Sequence, residues 1–421
     1  MDFRSLPSSP VTLTNITVPA CLLGKDGDLE TTSLSIADGQ ITQAKFEEID
    51  MGGAMVFPCF VDMHTHLDKG HIWPRAANPD GSFPGALSTV AQDRSARWSA
   101  QDVAARMDFG LRSAYAHGTR AIRTHIDSIP PQDEISFPVF ASLQETWADK
   151  IELQASSLMG IDALEDFSSY GHTADLVAAT GGVLGIVTYP VADLNDRLRQ
   201  YFKMAGERGL PADLHVDETG DPSVATLREI ARTVLETGFD APVVVGHCCS
   251  LAVQDDRAAA ETLDLVAEAG LHVVSLPMCN LYLQDRRAGR TPRWRGITLV
   301  HEMKARGINV SFASDNTRDP FYAYGDLDMI EVMRQATRIG HLDHADLDWS
   351  NAFIANPAKA CGFSAPSLNP GSPADLVICK ARNWTELFSR PQSDRIVLRS
   401  GKAIDRTLPD YAELDHLMRT P

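Results

Sequence analysis

Phe60-Val61-Asp62-Met63-His64-Thr65-His66-Leu67-Asp68 closes an apolar, β-branched run that begins at Ala54, and it carries two histidines spaced i, i+2. Side chains on a strand alternate faces, so residues two apart point the same way. His64 and His66 therefore offer two imidazoles to one point at the C-terminal end of a strand, an arrangement that suits a divalent metal. Alone, His-x-His is a weak signal, and the rest of the chain has to supply further ligands.

Between about residues 55 and 360 the pattern alternates between short apolar runs and amphipathic ones. It predicts strands at 54–61, 119–125, 149–155, 181–188, 211–216, 242–247, 271–276 and 308–313. Helical runs separate them at 101–117, 192–208, 222–238, 255–269, 297–306 and 323–338. Strands alternating with helices over this length fit an α/β fold of the (β/α)8 TIM-barrel type better than an open sheet, and such barrels place their chemistry at the C-terminal strand ends. Both chain ends are β-rich instead, at 11–18, 20–23 and 34–36 and again at 374–379 and 395–398. The expected organisation is a barrel over 55–362 and a small β-sandwich that the ends, 1–54 and 363–421, build together.

Polar residues fall where such a fold builds a site. His215 and, three residues on, Glu218 end the fifth predicted strand; His247 ends the sixth; Asp315 ends the eighth. His64, His66, His215 and Asp315 make three nitrogens and one carboxylate, a set suited to one Zn²⁺ or Fe²⁺ with a position left for water. A metal so held lowers the pKa of water from 15.7 to about 7. Any single histidine of the thirteen is ordinarily a satisfied core or surface imidazole. Four strand-end ligands beside a Glu and a further His are much harder to obtain by chance. Asp315 also suits a helix N-cap, and Glu218 suits either a helix-start charge or a general acid/base. His125, at the end of the second strand, lines the site, supports it from behind or is purely structural.

Composition sets the outer frame. The chain has 421 residues, 44% apolar and 22% charged, with a net charge of −18. That charge repels nucleic acid and anionic membrane, so neither is an expected partner. Seven scattered cysteines without C-x-x-C spacing suit reduced thiols in a cytoplasmic protein. No apolar leader follows Met1, and no uncharged run approaches the ~18 residues of a membrane span.

Several motifs resemble those of bacterial cytosine deaminase in the amidohydrolase superfamily: Val61 to Asp68, Arg123-Thr124-His125-Ile126-Asp127, His215-Val216-Asp217-Glu218, Asn280-Leu281-Tyr282-Leu283-Gln284, Arg295-Gly296-Ile297 and Asp315 to Pro320. The resemblance runs from about 54 to 378. Met63 to Lys69 is also similar to N-isopropylammelide amidohydrolase, a triazine enzyme. The resemblance implies a mononuclear metal site on His64, His66, His215 and Asp315, a proton-shuttling Glu218 and a water-positioning His247. The fourth-strand end, Gly185-Ile186-Val187-Thr188, offers no lysine for the bridge of binuclear relatives.

The pocket departs from that pattern. Gly160 stands where the cytosine deaminases carry a glutamine that reads the pyrimidine edge, and Leu158, Asn316 and Phe321 replace a phenylalanine, an acidic residue and a tryptophan. Gly160 is expected to leave space for a bulkier heterocycle than cytosine. Lys69 meets either an anionic substrate or a neighbouring carboxylate. Gln284 is expected to bond a ring carbonyl and Phe321 to stack on the ring.

The resulting expectation is a metal-dependent hydrolytic deaminase of a small nitrogen heterocycle (a pyrimidine, purine, pterin or triazine), cytoplasmic and homo-oligomeric. Catalysis is expected from Glu218, His247 and Asp315. A ring-opening cyclic amide hydrolase and a non-catalytic metal-binding barrel are the alternatives.

Overall fold

The computed structural model describes residues 3–7, 10–344, 348–391 and 394–419. Five strands open the chain: β1 (Val11–Pro19), β2 (Leu29–Ala37), β3 (Gln40–Thr42), β4 (Glu48–Asp50) and β5 (Met55–Pro58). The middle carries β6 (Phe60–Thr65), β7 (Thr119–Asp127), β8 (Glu152–Leu158), β9 (Leu184–Thr188), β10 (Ala212–Val216), β11 (Val243–His247), β12 (His272–Ser275) and β13 (Asn309–Phe312). The tail adds β14 (Leu376–Cys379), β15 (Arg395–Arg399) and β16 (Lys402–Ala403).

The middle strands form two parallel sheets, β6-β7-β8 and β9-β10-β11-β12-β13. Isolated parallel bridges join them at both seams, Ser156 to Val183 and Gly160 to Val187 on one side, Thr65 to Asp315 on the other. Every residue of β6, β10 and β11 is buried. Such strands are covered on both faces and read as continuous apolar runs without alternation. Helices lie between the strands, and their apolar stripes pack onto the sheets in one large core.

The ends meet in one mixed sheet, ordered β16-β15-β14-β5-β1-β2-β3, with β4 also on β1. β5 and β14 pair antiparallel from Met55 with Cys379 to Pro58 with Leu376, so the two termini share a ladder and a separate apolar cluster around Leu13, Ile36, Val56, Ile378 and Ile396. The predicted strand 54–61 is thus two strands. β5 belongs to the end sheet and β6 to the parallel one, and the chain changes sheet at Cys59. Periodicity cannot reveal this, because both pieces are wholly buried.

Other boundaries moved for local reasons. The third predicted strand, 149–155, lies at 152–158 because Asp149 and Lys150 close the preceding turn. A helix at Asp133–Trp147 tolerates Pro138 within its second turn, where sequence rules expect a break. At the junction with the end sheet, Gly118 has φ +98°, and a Cβ there would lie 2.4 Å from Val377 Cγ2.

The end sheet is locked to the parallel sheets by ions. Arg395 on β15 donates to Asp328 Oδ1 at 2.8 Å and Oδ2 at 2.5 Å, and to the His117 carbonyl at 3.2 Å. Asp328 in turn caps the helix Met329–Gly340 through Ile330 N at 3.0 Å. Partial burial of Asp328 opposes its ionisation, but Arg395 and His117 hold its pKa far below the usual range. A depressed carboxylate stabilises the fold fully above its unfolded pKa, about 3.9, and this contribution fades as pH falls from there through the lower folded value. Arg395→Met should therefore cost roughly 3–5 kcal/mol near neutrality by stranding Asp328, read as a lower urea midpoint, and less below about pH 3.

Candidate active site

Two carboxylates inside the signature motifs set the geometry before any ligand is placed. Asp62 on β6 accepts from Ser314 N at 3.0 Å and from the Ser314 hydroxyl, and Asp315 N donates to the His64 carbonyl at 2.9 Å. These contacts stitch the first parallel strand to the last and swing Asp315, at φ +65°, over the two histidines. Asp217, at φ +50°, accepts from Thr226 N at 3.0 Å, the Thr226 hydroxyl at 2.6 Å and Leu227 N at 3.1 Å, so it ties the chain beside Glu218 to the start of the next helix. His247 and Cys248 also have positive φ, at 66° and 50°. Non-glycine residues rarely adopt this conformation, and it clusters where a fold over-determines a functional segment.

His64, His66, His215 and Asp315 converge. His215 Nε2 lies 3.1 Å from His64 Nε2 and 3.4 Å from His66 Nε2. Asp315 Oδ1 lies 3.2 Å from His66 Nε2 and 3.7 Å from His64 Nε2. Donors held tetrahedrally at 2.0–2.1 Å from one Zn²⁺ sit about 3.3 Å apart. Both Asp315 oxygens are buried without a hydrogen-bond partner, and burial keeps all three imidazoles neutral by pushing their pKa values well down. Neutral nitrogens and an unpaired carboxylate in one buried spot fit a single divalent cation. Burial first, and then the Asp319 and Asp62 carboxylates, push Asp315 up to about 8; a cation among these donors reverses that direction. Gly246 makes room for the cluster, since a Cβ there would meet His64 Cε1 at 3.1 Å.

Glu218 and His247 stand beside these four groups, joined by a residue outside the expected set. Asn280 Nδ2 lies 3.2 Å from Glu218 Oε1 and 3.0 Å from His247 Nδ1. The pKa of Glu218 itself is pushed well up by burial and then by Asp315. His247 is lowered to about 3 by burial, which leaves it neutral with its Nε2 unpartnered.

A cavity of about 460 Å³ opens over these groups. His66, His215, Glu218, His247, Lys69, Asn316, Leu158, Gly160 and Phe321 line it, whereas Gln284 does not. The Gln284 amide instead donates to the Glu218 carbonyl at 3.1 Å. Asn316 is engaged as well, donating to Asp319 at 2.7 Å and facing Cys279 Sγ at 3.5 Å. Phe321 packs edge-on against Phe83 at 5.5 Å, with the Lys69 ammonium 5.4 Å above its ring.

Lys69 meets a neighbouring carboxylate. Its Nζ lies 2.7 Å from Asp127 Oδ1, while Arg94 holds Oδ2 at 2.8 Å. Burial works against the ammonium, but Asp127 and Asp68 outweigh it and raise the pKa. The space expected at Gly160 is also taken. A Cβ there would lie 2.4 Å from both Asp162 Oδ1 and Tyr189 Oη, two groups hydrogen-bonded to each other. The glycine is small because this pair occupies the position. Tyr189 and Asp162 line the cavity and lie outside the expected set; residues 27 apart in sequence carry no motif that links them.

Residues 147–404 match the amidohydrolase family. A pterin deaminase of Rhizobium rhizogenes is 52% identical over 98% of this chain and 98% of its own length. Among solved structures, a 5-methylcytosine deaminase of Klebsiella pneumoniae with 5-fluorocytosine bound superposes with a TM-score of 0.79 at 24% identity, over 95% of this chain and 98% of that one. An N-isopropylammelide isopropylaminohydrolase of Burkholderia multivorans gives 0.76 at 24% identity, over 94% and 98%. These two likenesses show a shared fold. The family match spans more than half of the chain, and a relative identical at about half of its positions runs end to end; this chain belongs to the amidohydrolase family.

Proposed function

We propose that this chain hydrolytically deaminates a pterin, replacing the ring amino group by a carbonyl oxygen and releasing ammonia. The chain is a hydrolase of carbon–nitrogen bonds acting on a small nitrogen heterocycle. The pterin assignment draws on the end-to-end relative. The single observation that carries the chemistry is the placement of Glu218, a carboxyl whose pKa is pushed well up, beside the converged His64, His66, His215 and Asp315. A cavity of about 460 Å³ also has room for two fused rings.

His64, His66, His215 and Asp315 would hold one divalent ion, Zn or Fe, which when bound supplies Lewis acidity and hydroxide at neutral pH. The protein's own groups divide the remaining work. His247 Nε2 orients the attacking water, its ring held from behind by Asn280. Asp315 takes the proton released as the carbon–oxygen bond forms. Glu218 gives its proton to the ring nitrogen next to the attacked carbon, so charge does not build up on the heterocycle. The amino group then leaves as ammonia with the proton held on Asp315, and the new hydroxyl returns its proton to Glu218 as the carbonyl forms. Phe83, Phe321 and Leu158 offer the ring apolar faces. Phe321 is our stacking partner, and Asn316 and Lys69 shape its surroundings. Gln284 supports Glu218 from outside the cavity.

The same reading takes the two parallel sheets as one closed (β/α)8 barrel over 55–362, supported by the bridges at both seams. It takes the shared sheet of the ends, 1–54 and 363–421, as a β-sandwich. No described helix is long and apolar enough to cross a membrane. A reducing, cytoplasmic setting is supported by free thiols at all seven cysteines.

Three measurements test the proposal. Ammonia release by metal-replete protein should be at least ~10²-fold more efficient in kcat/KM with pterin than with cytosine, a gap within ordinary enzyme discrimination; turnover of cytosine but not pterin overturns the substrate. Glu218→Gln should keep its metal and lose about 10²-fold or more in kcat, and near-native turnover removes Glu218 from the mechanism. Elemental analysis should find one equivalent of metal per chain, with activity lost to a chelator and restored by Zn²⁺ or Fe²⁺; two equivalents, or none after metal-supplemented expression, contradict the site.

A further inference from the structure

His125 lies within β7, fully buried, and neither ring nitrogen has a hydrogen-bond partner. It is not among the four converged donors, yet it touches three of them. Its ring centroid lies 4.1 Å from that of His64, 4.6 Å from that of His215 and 5.4 Å from that of His66. His125 Nε2 lies 3.8 Å from Asp213 Oδ1, which also lacks a partner, while Asp213 Oδ2 takes a 2.7 Å bond from buried Arg123. His64, His125 and Asp213 each present one nitrogen or oxygen to a common point, all within 4.8 Å of one another.

The chemistry of His64 gives this cluster a purpose. Its Nε2 faces His215 and Asp315, so in the neutral ring that nitrogen is the donor to a cation and the proton sits on Nδ1. Nδ1 is buried and without a partner of its own. A ligating imidazole ordinarily gives its second N–H to a carboxylate, a carbonyl or a water, which fixes both tautomer and ring angle. An apolar side chain at position 125 would fill the same volume without importing two polar atoms, a buried carboxylate and its arginine. Groups of this kind, set slightly beyond direct hydrogen-bond reach, are joined in protein interiors by an internal water.

We propose that Arg123, Asp213 and His125 form a polar brace beneath the site, in which His125 and Asp213 are positioning residues that hold the His64 ring in its metal-binding orientation. Arg123 fixes one Asp213 oxygen, the other oxygen orients His125, and the pair accepts the His64 N–H through one bridging water. The brace never touches substrate and acts only through His64.

The proposal rests on reading His64, His66, His215 and Asp315 as metal ligands, and the test separates the two. Zn²⁺ affinity is measured by competition with a chromogenic chelator, for the full-length parent and for His125→Phe, His125→Gln and Asp213→Asn, alongside the melting temperature of each metal-free protein. His125→Phe and Asp213→Asn should each bind Zn²⁺ about 10–100-fold more weakly, the usual loss for a group behind a metal ligand. His125→Gln, which keeps a donor and an acceptor, should recover to within about threefold. Affinity within threefold of the parent in both Phe and Asn variants overturns the brace, as does a Gln variant as weak as Phe. Should the Phe variant fail to fold, Asp213→Asn and His125→Gln decide on the same thresholds. A parent that binds no Zn²⁺ sinks the metal reading instead, and an inactive but metal-tight parent sinks only the pterin assignment.

Discussion

Three imidazole nitrogens and a carboxylate oxygen lie 3.1–3.7 Å from their neighbours, buried at the floor of the cavity, and the rest of the structure follows from that convergence. Buried polar atoms left without a partner cost about 1–3 kcal/mol each, so the fold must both force these groups together and have something to offer them. The force comes from the seam between β6 and β13. Asp62 grips Ser314, and the His64 carbonyl grips Asp315 N, so the first and last parallel strands cannot separate without dismantling the cluster. Far from the cluster, the shared ladder of β5 and β14 fixes where β6 begins.

Around this centre, burial does most of the electrostatic tuning. It pushes the pKa values of the histidines well down and that of Glu218 well up. Opposite effects on bases and acids follow from one cause, the penalty on whichever form is charged. Asn280 converts this tuning into geometry by touching both Glu218 and His247. At the mouth, Lys69 and Arg94 share Asp127, and Phe83, Leu158 and Phe321 present apolar walls to the cavity.

The sequence made the donors legible because each one sits at the end of an apolar run, and a strand end fixes direction as well as position. His64 and His66 even declare their shared face through their spacing. The partners that aim these donors were not legible. Asp62 finds Ser314 across 252 positions, and Lys69 finds Asp127 across the width of two strands. Asp217 was visible inside the His215 motif, but only the positive φ and the helix it ties explain it. Gly160 suggested an opening because a missing side chain looks like space from sequence alone, and Tyr189 with Asp162 fills it. The run at 54–61 hid a change of sheet for a related reason, since uniform burial leaves no periodic trace.

X-ray absorption at the metal edge tests the convergence most directly, because it reads ligand type and distance without substrate. The account predicts a single shell of nitrogen and oxygen donors at about 2.0–2.1 Å, with outer scattering from three imidazoles. A metal–metal vector near 3.5–4 Å, the signature of a two-metal site, or a first shell without imidazole would contradict it.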